Sequence, residues 1–264
     1  MTDLRANMLS DWIRLNSAEI GITVTDSTVL VPVSDDASFR RYFRLHGAEF
    51  DDSGRSLVFV DAPPAHEDNP SFIKVSEAML AHGLNCPAVI AADLSEGFLA
   101  VTDLGDRPYL SEFKKHPDSV RPLYRSAISS LQSMLGVICE LPHYDEQRLL
   151  SEMYLFDEWF LTSQLDLQIS PALRKMLDLA YDRLVHNALQ QPQRFVHRDY
   201  HARNLMLMEM TNSDAPGILD FQDAVVGPIS YDLVSLLKDC YYCLEREVVV
   251  DLVDQFRVRL LEMN

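Results

Sequence analysis

Cationic side chains are scarce in this sequence. Lysine and arginine total 23 against 40 aspartates and glutamates over 264 residues, a net charge of -17. A surface of that sign repels nucleic acid and anionic membranes at long range, yet it leaves room for a local cationic pocket. Long apolar runs are also missing. Nothing approaches the length needed to span a bilayer, and the opening MTDLRANMLSDWIRL is mixed-charge and amphipathic rather than signal-like. The expectation is a cytoplasmic protein with no nucleic-acid or membrane partner. Cysteine is sparse: Cys86, Cys139, Cys240 and Cys243. The lone Cys240-x-x-Cys243 has no second Cys or His pair at metal-binding spacing. All four read as structural thiols, the last two on one face of a helix. His197 and His201 stand at i, i+4, but the glutamate of H-E-x-x-H is missing and Asp199 lies between them, so zinc is not indicated. No repeat or low-complexity segment is present, and the length suits one large domain or two small ones.

What is present has a clear order. Leu4, Met8, Leu9, Trp12, Ile13 and Leu15 recur at helical spacing. Strand patterns follow over 29–33, 39–45 and 56–60, the last two joined by the polar segment HGAEFDDSGR. A helix is predicted from Ser71 to about His82, capped by Ser71 or Asn69 and stopped at Gly83. AVIAADL and GFLAVTD read as two more strands around a Ser-Glu-Gly turn. Beyond Gly105 the pattern becomes helical: Leu123 to Ile138, then 148–165 and 171–190, and from Tyr231 to the end. Short strands return only as FVH, NLMLM and GILDF. A small β-rich lobe thus joins a larger helical lobe near Thr102 to Gly105, and ligands commonly occupy the cleft between two such lobes.

The stretch FVHRDYHARNLM concentrates polar groups between apolar flanks. It fits H-R-D-x-x-x-x-N, the pattern of a kinase catalytic loop. Sixteen residues after Asn204, the apolar strand GILDF ends near Asp220. Phosphoryl transfer needs an acceptor for the proton of the attacking hydroxyl, and Asp199 suits that role. It also needs the phosphate charge neutralised by Mg²⁺, a hard ion that takes oxygen ligands such as the amide of Asn204 and the carboxylate of Asp220. A hairpin of NLMLM and GILDF would fix their separation. Any one of these residues could equally be a turn former; it is the set, in order and in strand context, that points to chemistry.

HRDYHARNLM followed by LDFQDAVVGPISYDL resembles the aminoglycoside phosphotransferase-like kinases, and within them the bacterial N-acetylmuramate/N-acetylglucosamine kinases, which phosphorylate the anomeric hydroxyl in peptidoglycan recycling. DDASFRRYFRL, LVFVDAPP and VTDLGDRPYL extend the resemblance over nearly the whole chain. It implies an α+β, protein-kinase-like fold, with residues 1–102 as a nucleotide-binding N-lobe and 103–264 as a C-lobe holding catalytic loop, metal site and acceptor site. It implies ATP and Mg²⁺ as cofactors and a small-molecule sugar as substrate. Thr102, Asp103 and Leu104 become the hinge that reads adenine, Ser38 and Phe39 the tip of the phosphate loop, and Asp232 a brace for the catalytic loop. His201, Arg203 and Asp223 are candidate acceptor contacts, with Arg203 also open to nucleotide phosphate.

The sequence departs from the kinase pattern in two ways. The turn DDASF has no glycine, and SLVFVDAPP has no lysine where protein kinases place one. If 40–45 is a strand, Arg40, Tyr42 and Arg44 share a face and Arg41 points away; Arg40 or Arg44 is then expected to supply the missing charge, with Glu77 as its acidic partner. The end of the chain, EREVVVDLVDQFRVRLLEMN, is still amphipathic where family members are expected to continue, which suggests a naturally short or truncated C-terminus. Two other readings stay open: a phosphotransferase for an aminoglycoside or another small alcohol, and a nucleotide-binding pseudokinase.

Overall fold

The computed structural model describes residues 3–33, 39–50, 56–208 and 215–262. Helix α1 (Leu4–Leu15) starts where the Asp3 carboxylate accepts the Ala6 N–H, the usual way to satisfy an orphan donor of a first turn. Its Leu9 and Ile13, one turn apart, are fully buried against Phe59 and Phe98 of the sheet. Burying each contributes about 1.5–3 kcal/mol. A short helix α2 (Ser17–Ile20) and strand β1 (Ile22–Thr23) lead into β2 (Val29–Pro32), β3 (Arg41–His46), β4 (Glu49–Phe50) and β5 (Leu57–Asp61). Helix α3 (Asn69–Ala81) follows, then β6 (Val89–Asp93) and β7 (Phe98–Thr102).

Five of these strands form one antiparallel sheet in the order β2-β3-β5-β7-β6. Strand β7, interior to the sheet between β5 and β6, is buried over Phe98 to Val101, which explains its unbroken apolar run. The tight β6–β7 turn needs Gly97, at φ +77°, because a Cβ there would stand 2.1 Å from the Ala62 carbonyl oxygen.

From Thr102 the chain passes into α4 (Tyr109–Lys115), α5 (Val120–Met134) and α6 (Glu146–Leu155), which runs on through a wider π-helical stretch to Gln164. Helix α7 (Pro171–Leu189), β8 (Gln193–Val196), β9 (Leu205–Met206), β10 (Gly217–Ile218), β11 (Val225–Pro228), α8 (Tyr231–Leu237) and α9 (Arg246–Glu262) complete the order. This is the α+β arrangement expected, a five-stranded antiparallel N-lobe before a helical region. One core joins the two parts: Phe72 of α3 stacks on Phe221 at 4.9 Å, within a cluster that also takes in Leu131 and Phe256. Among the described residues no helix is long and apolar enough to cross a membrane.

Several local expectations are corrected. The cap of α3 is Asp68, which accepts from the Ser71 N–H, while Asn69 is buried and donates to the Ala62 carbonyl. Ile138 lies beyond the end of α5 and is 94% exposed. Helix α4 and strand β11 carry too few residues for their periodicity to show in the sequence. The tail is two helices rather than one. The Asp239 carboxylate accepts the backbone N–H groups of Tyr241 and Tyr242, a side-chain competitor that breaks the helix. Cys240 and Cys243 therefore sit in a non-helical segment and are exposed, not structural core thiols; Cys86 is buried, and burial pushes its thiol up to about 12. The Asp-Ser-Gly turn before β5, the Asp35–Ala37 turn and Ser38 lie outside the described residues.

Candidate active site

The polar stretch leaves β8 at His197. Strand β8 pairs antiparallel with β11, Val196 opposite Val225, and both residues are buried. His197 follows with no exposure at all. Its Nδ1 accepts the Asp199 N–H at 3.2 Å and its Nε2 donates to the Leu219 carbonyl at 2.9 Å. That pattern requires the neutral ring, and burial holds its pKa down at about 4. Asp232 of α8 accepts two backbone N–H groups, from His197 at 2.7 Å and Arg198 at 2.9 Å. Arg198 has φ +80°, a left-handed backbone that costs an L-residue of order 1–2 kcal/mol. The buried carboxylate thus fixes the turn that presents Asp199, the bracing position expected for it; its own pKa is raised to about 7 by burial.

Asp199 is exposed. Burial of part of the group, and next the charge of Asp220, raise its pKa. The hairpin of β9 and β10 pairs Leu205 with Ile218 and Met206 with Gly217. One residue further, the Leu219 N–H donates to the Asn204 carbonyl at 2.9 Å. That register sets Asn204 beside Asp220: Asn204 Nδ2 lies 3.3 Å from Asp220 Oδ2 and 3.0 Å from the Asp199 carbonyl. Asp220 has φ +65°, a conformation aspartate tolerates better than most residues. Its second oxygen accepts from Gln222 Nε2 at 2.8 Å. No group of three or more His, Cys, Asp or Glu able to hold a metal exists among the described residues. The oxygens of Asn204 and Asp220 nevertheless match Mg²⁺, which commonly takes one or two protein oxygens and fills its other positions from phosphates and water.

These groups stand at one end of a cleft of about 330 Å³, lined by the sheet face with Tyr42, Val58 and Val101, the segment Thr102–Asp106, and Met206, Leu219 and Phe221 below. At the hinge the Thr102 N–H bonds the Ala88 carbonyl and the Asp103 N–H bonds the Ser56 carbonyl. Leu104 keeps its backbone N–H clear of any partner among the described residues.

Tyr42 and Arg44 face this cleft, and Arg41 points away to Asp3 and Asp61, as strand parity predicts. Arg44 is held at the hinge: Asp103 accepts from its Nε at 2.6 Å and from its Nη2 at 2.8 Å, and Asp106 also pairs with it. Arg40 lies before the strand and is buried, 3.2 Å from Glu67 and over the Phe72 ring at 5.0 Å. Tyr42 lies within reach of the charges of both Arg40 and Asp220. The acid beside Arg40 is therefore Glu67; Glu77 is exposed on the outside of α3. Phe39 is exposed and stacks on His66 at 4.1 Å. Asp61, at the end of β5, is turned out of the cleft and buried between Arg5 and Arg41.

Of the acceptor candidates, Arg203 lines the nucleotide-sized cleft and lies over Tyr241 at 5.0 Å. His201 meets the edge of the same tyrosine at 5.1 Å. Asp223 is exposed, and its charge reaches Asp199. The sequence reading missed Glu152, which pairs with Arg198 at 2.7 Å and accepts from Tyr144 Oη. Nothing local in α6 marks that glutamate.

The model described as the phosphotransferase enzyme family matches residues 29–261. The N-acetylmuramate/N-acetylglucosamine kinase of Pseudomonas aeruginosa is 42% identical over 214 residues, 80% of this chain and 60% of that protein. The protein of the same name from Neisseria meningitidis is 40% identical over 225 residues, 84% and 64% of the two chains. The chain thus spans about three-fifths of the length of these curated relatives. Among solved structures, the streptomycin–ATP–APH(2")-IIa ternary complex superposes with a TM-score of 0.62 at 16% identity, over 97% of this chain and 83% of that one. The gentamicin–APH(2")-IIa complex gives 0.64 at 15%, over 100% and 85%. At such identities the likeness is one of fold.

Proposed function

The chain belongs to the phosphotransferase enzyme family, and from that premise we propose that it transfers a phosphoryl group from ATP to the anomeric hydroxyl of an amino sugar, N-acetylmuramate or N-acetylglucosamine. One observation carries the reading: Asn204 and Asp220 meet at 3.3 Å while Asn204 also holds the backbone of Asp199. A proton acceptor and a pair of hard oxygen ligands are thereby fixed relative to one another, the arrangement phosphoryl transfer needs.

In this reading Asp199 accepts the proton of the sugar hydroxyl. Its raised pKa brings it nearer to the operating pH and makes it a better base. Asn204 and Asp220 hold Mg²⁺, which neutralises phosphate charge when bound. The Leu104 N–H is the hinge donor left for adenine. Arg40, buried and paired with Glu67, supplies the phosphate-facing cation in place of a third-strand lysine; Arg44 braces the hinge through Asp103. The lobes of residues 1–102 and 103–264 then act as nucleotide-binding and acceptor-binding halves. A paired cation beside an intact Asp199, Asn204 and Asp220 weighs against a pseudokinase. The names of the two relatives weigh toward the amino sugars over aminoglycosides.

The test is kcat/KM with ATP and Mg²⁺ for N-acetylmuramate, N-acetylglucosamine, kanamycin and choline. Turnover of either amino sugar above the other two supports the reading. Turnover of kanamycin alone, or of none, rejects it.

A further inference from the structure

A second cavity, of about 470 Å³, opens beside the site between the start of α3, the segment 140–148 and Gln222 to Ala224. Most of its charges are already partnered. Glu67 pairs with Arg40, Glu140 with Lys74 at 3.6 Å, and Asp68 caps α3. Two are not: the half-buried guanidinium of Arg148 and the carboxylate of Asp223 make no hydrogen bond or ion pair among the described residues. Gln222, which lines the same cavity, has a buried Oε1 without a partner among the described residues, while its Nε2 is fixed on Asp220. The cavity therefore offers one cation, one anion and one amide oxygen without partners among the described residues, the last two within three residues of Asp220. The charge of Asp223 reaches Asp199, which ties the cavity to the base.

A guanidinium left unpaired and half-buried in an acidic protein is costly unless something anionic meets it, and its planar fork matches a carboxylate. We infer that this cavity is the acceptor subsite and that Arg148 binds the carboxylate of an acid-bearing amino sugar, with Asp223 and Gln222 Oε1 accepting from its hydroxyl or amide N–H groups. This rests on the amino-sugar reading above. It gives carboxylate recognition to α6 and not to Arg203, which lines the first cleft. It also predicts a division of labour, because N-acetylglucosamine lacks the lactyl carboxylate and should not depend on Arg148.

The experiment measures kcat and KM for both sugars in the wild-type chain, Arg148→Gln and Arg148→Lys. Loss of one charge-assisted contact is expected to raise KM for N-acetylmuramate about 10- to 100-fold in Arg148→Gln. KM for N-acetylglucosamine and both kcat values are expected to be unchanged, with partial recovery in Arg148→Lys. The unaffected sugar serves as the control for folding. An equal effect on the two sugars, or none on either, overturns the inference and leaves the kinase reading standing. A wild-type chain that phosphorylates neither sugar removes the kinase reading and the inference with it.

Discussion

Arg40 Nη2 lies 3.2 Å from Glu67 Oε2, in the loop that enters α3, and the guanidinium covers the Phe72 ring. Arg40 is thereby a fixed, buried cation immediately before β3, while β5 carries no lysine. Arg40→Met is expected to weaken ATP binding at least about tenfold, the scale of one charge-assisted contact, with calorimetric titration as the measurement. Arg44→Met is expected to act on the hinge, lowering thermal stability more than ATP affinity. Unchanged ATP affinity in the Arg40 variant would deny it a phosphate role.

Asp199 sits where burial and the Asp220 charge raise its pKa, with Asp223 adding to the effect. A base works only when deprotonated, so the rate rises with pH through that pKa. The acid limb of kcat/KM is expected above the ordinary aspartate value of about 3.9. Asp223→Asn removes a like charge and should move the limb to lower pH. Asp199→Asn should lower kcat by roughly 10²- to 10⁴-fold with ATP binding kept.

The contact between Asp232 and the His197 backbone links two opposed titrations. His197 has a folded pKa of about 4 against 6.5. Below pH 6.5 the unfolded chain binds a proton that the folded chain refuses. Stability present above 6.5 is therefore lost as pH falls toward 4, about 3 kcal/mol in all. Asp232 has a folded pKa of about 7 against 3.8. Its contribution is present below 3.8 and is lost as pH rises through 7. Over pH 4–6.5 the slopes oppose. Chemical denaturation across that window should show a shallow dependence in the wild type. Asp232→Asn should lose stability as pH falls, and His197→Gln should gain it. Three parallel curves would disprove the coupling.

Asp61 takes Arg5 of α1 and Arg41 of β3 while its side chain is wholly buried. Asp61→Ala leaves both guanidiniums short of a partner. A loss of about 1.5–3 kcal/mol in unfolding free energy is expected, with little change in KM for ATP because the carboxylate faces away from the cleft.

Much of the site was legible in the sequence because it is local. His197, Asp199 and Asn204 fall within eight residues, and Asp220 ends the strand-like run that pairs back on Leu205. Spacing along one hairpin is enough to bring them together. The parity of Arg41, Tyr42 and Arg44 was legible for the same reason, since alternation along a strand is a property of the backbone; Arg40 precedes the strand, and its burial was not. What escaped was set by distant partners. Glu67 rather than Glu77 meets Arg40, because Glu67 stands in the loop between β5 and α3 while Glu77 is exposed on the helix. The break at 238–245 follows from one aspartate outcompeting the helix ladder. Strand β11 exists only because β8 lies beside it.

The sequence by itself determined the succession of a strand-rich part and a helical part, the polar stretch from His197 to Asn204 and the absence of a lysine from β5, since these are fixed by periodicity and neighbouring residue types. Only the tertiary structure decided that Arg40 pairs with Glu67, that Arg44 pairs with Asp103 and Asp106, and that the Arg148 guanidinium has no ion pair among the described residues. Those outcomes depend on which carboxylates come within about 4 Å, and charges separated by tens of residues meet only when packing of the core brings their elements together.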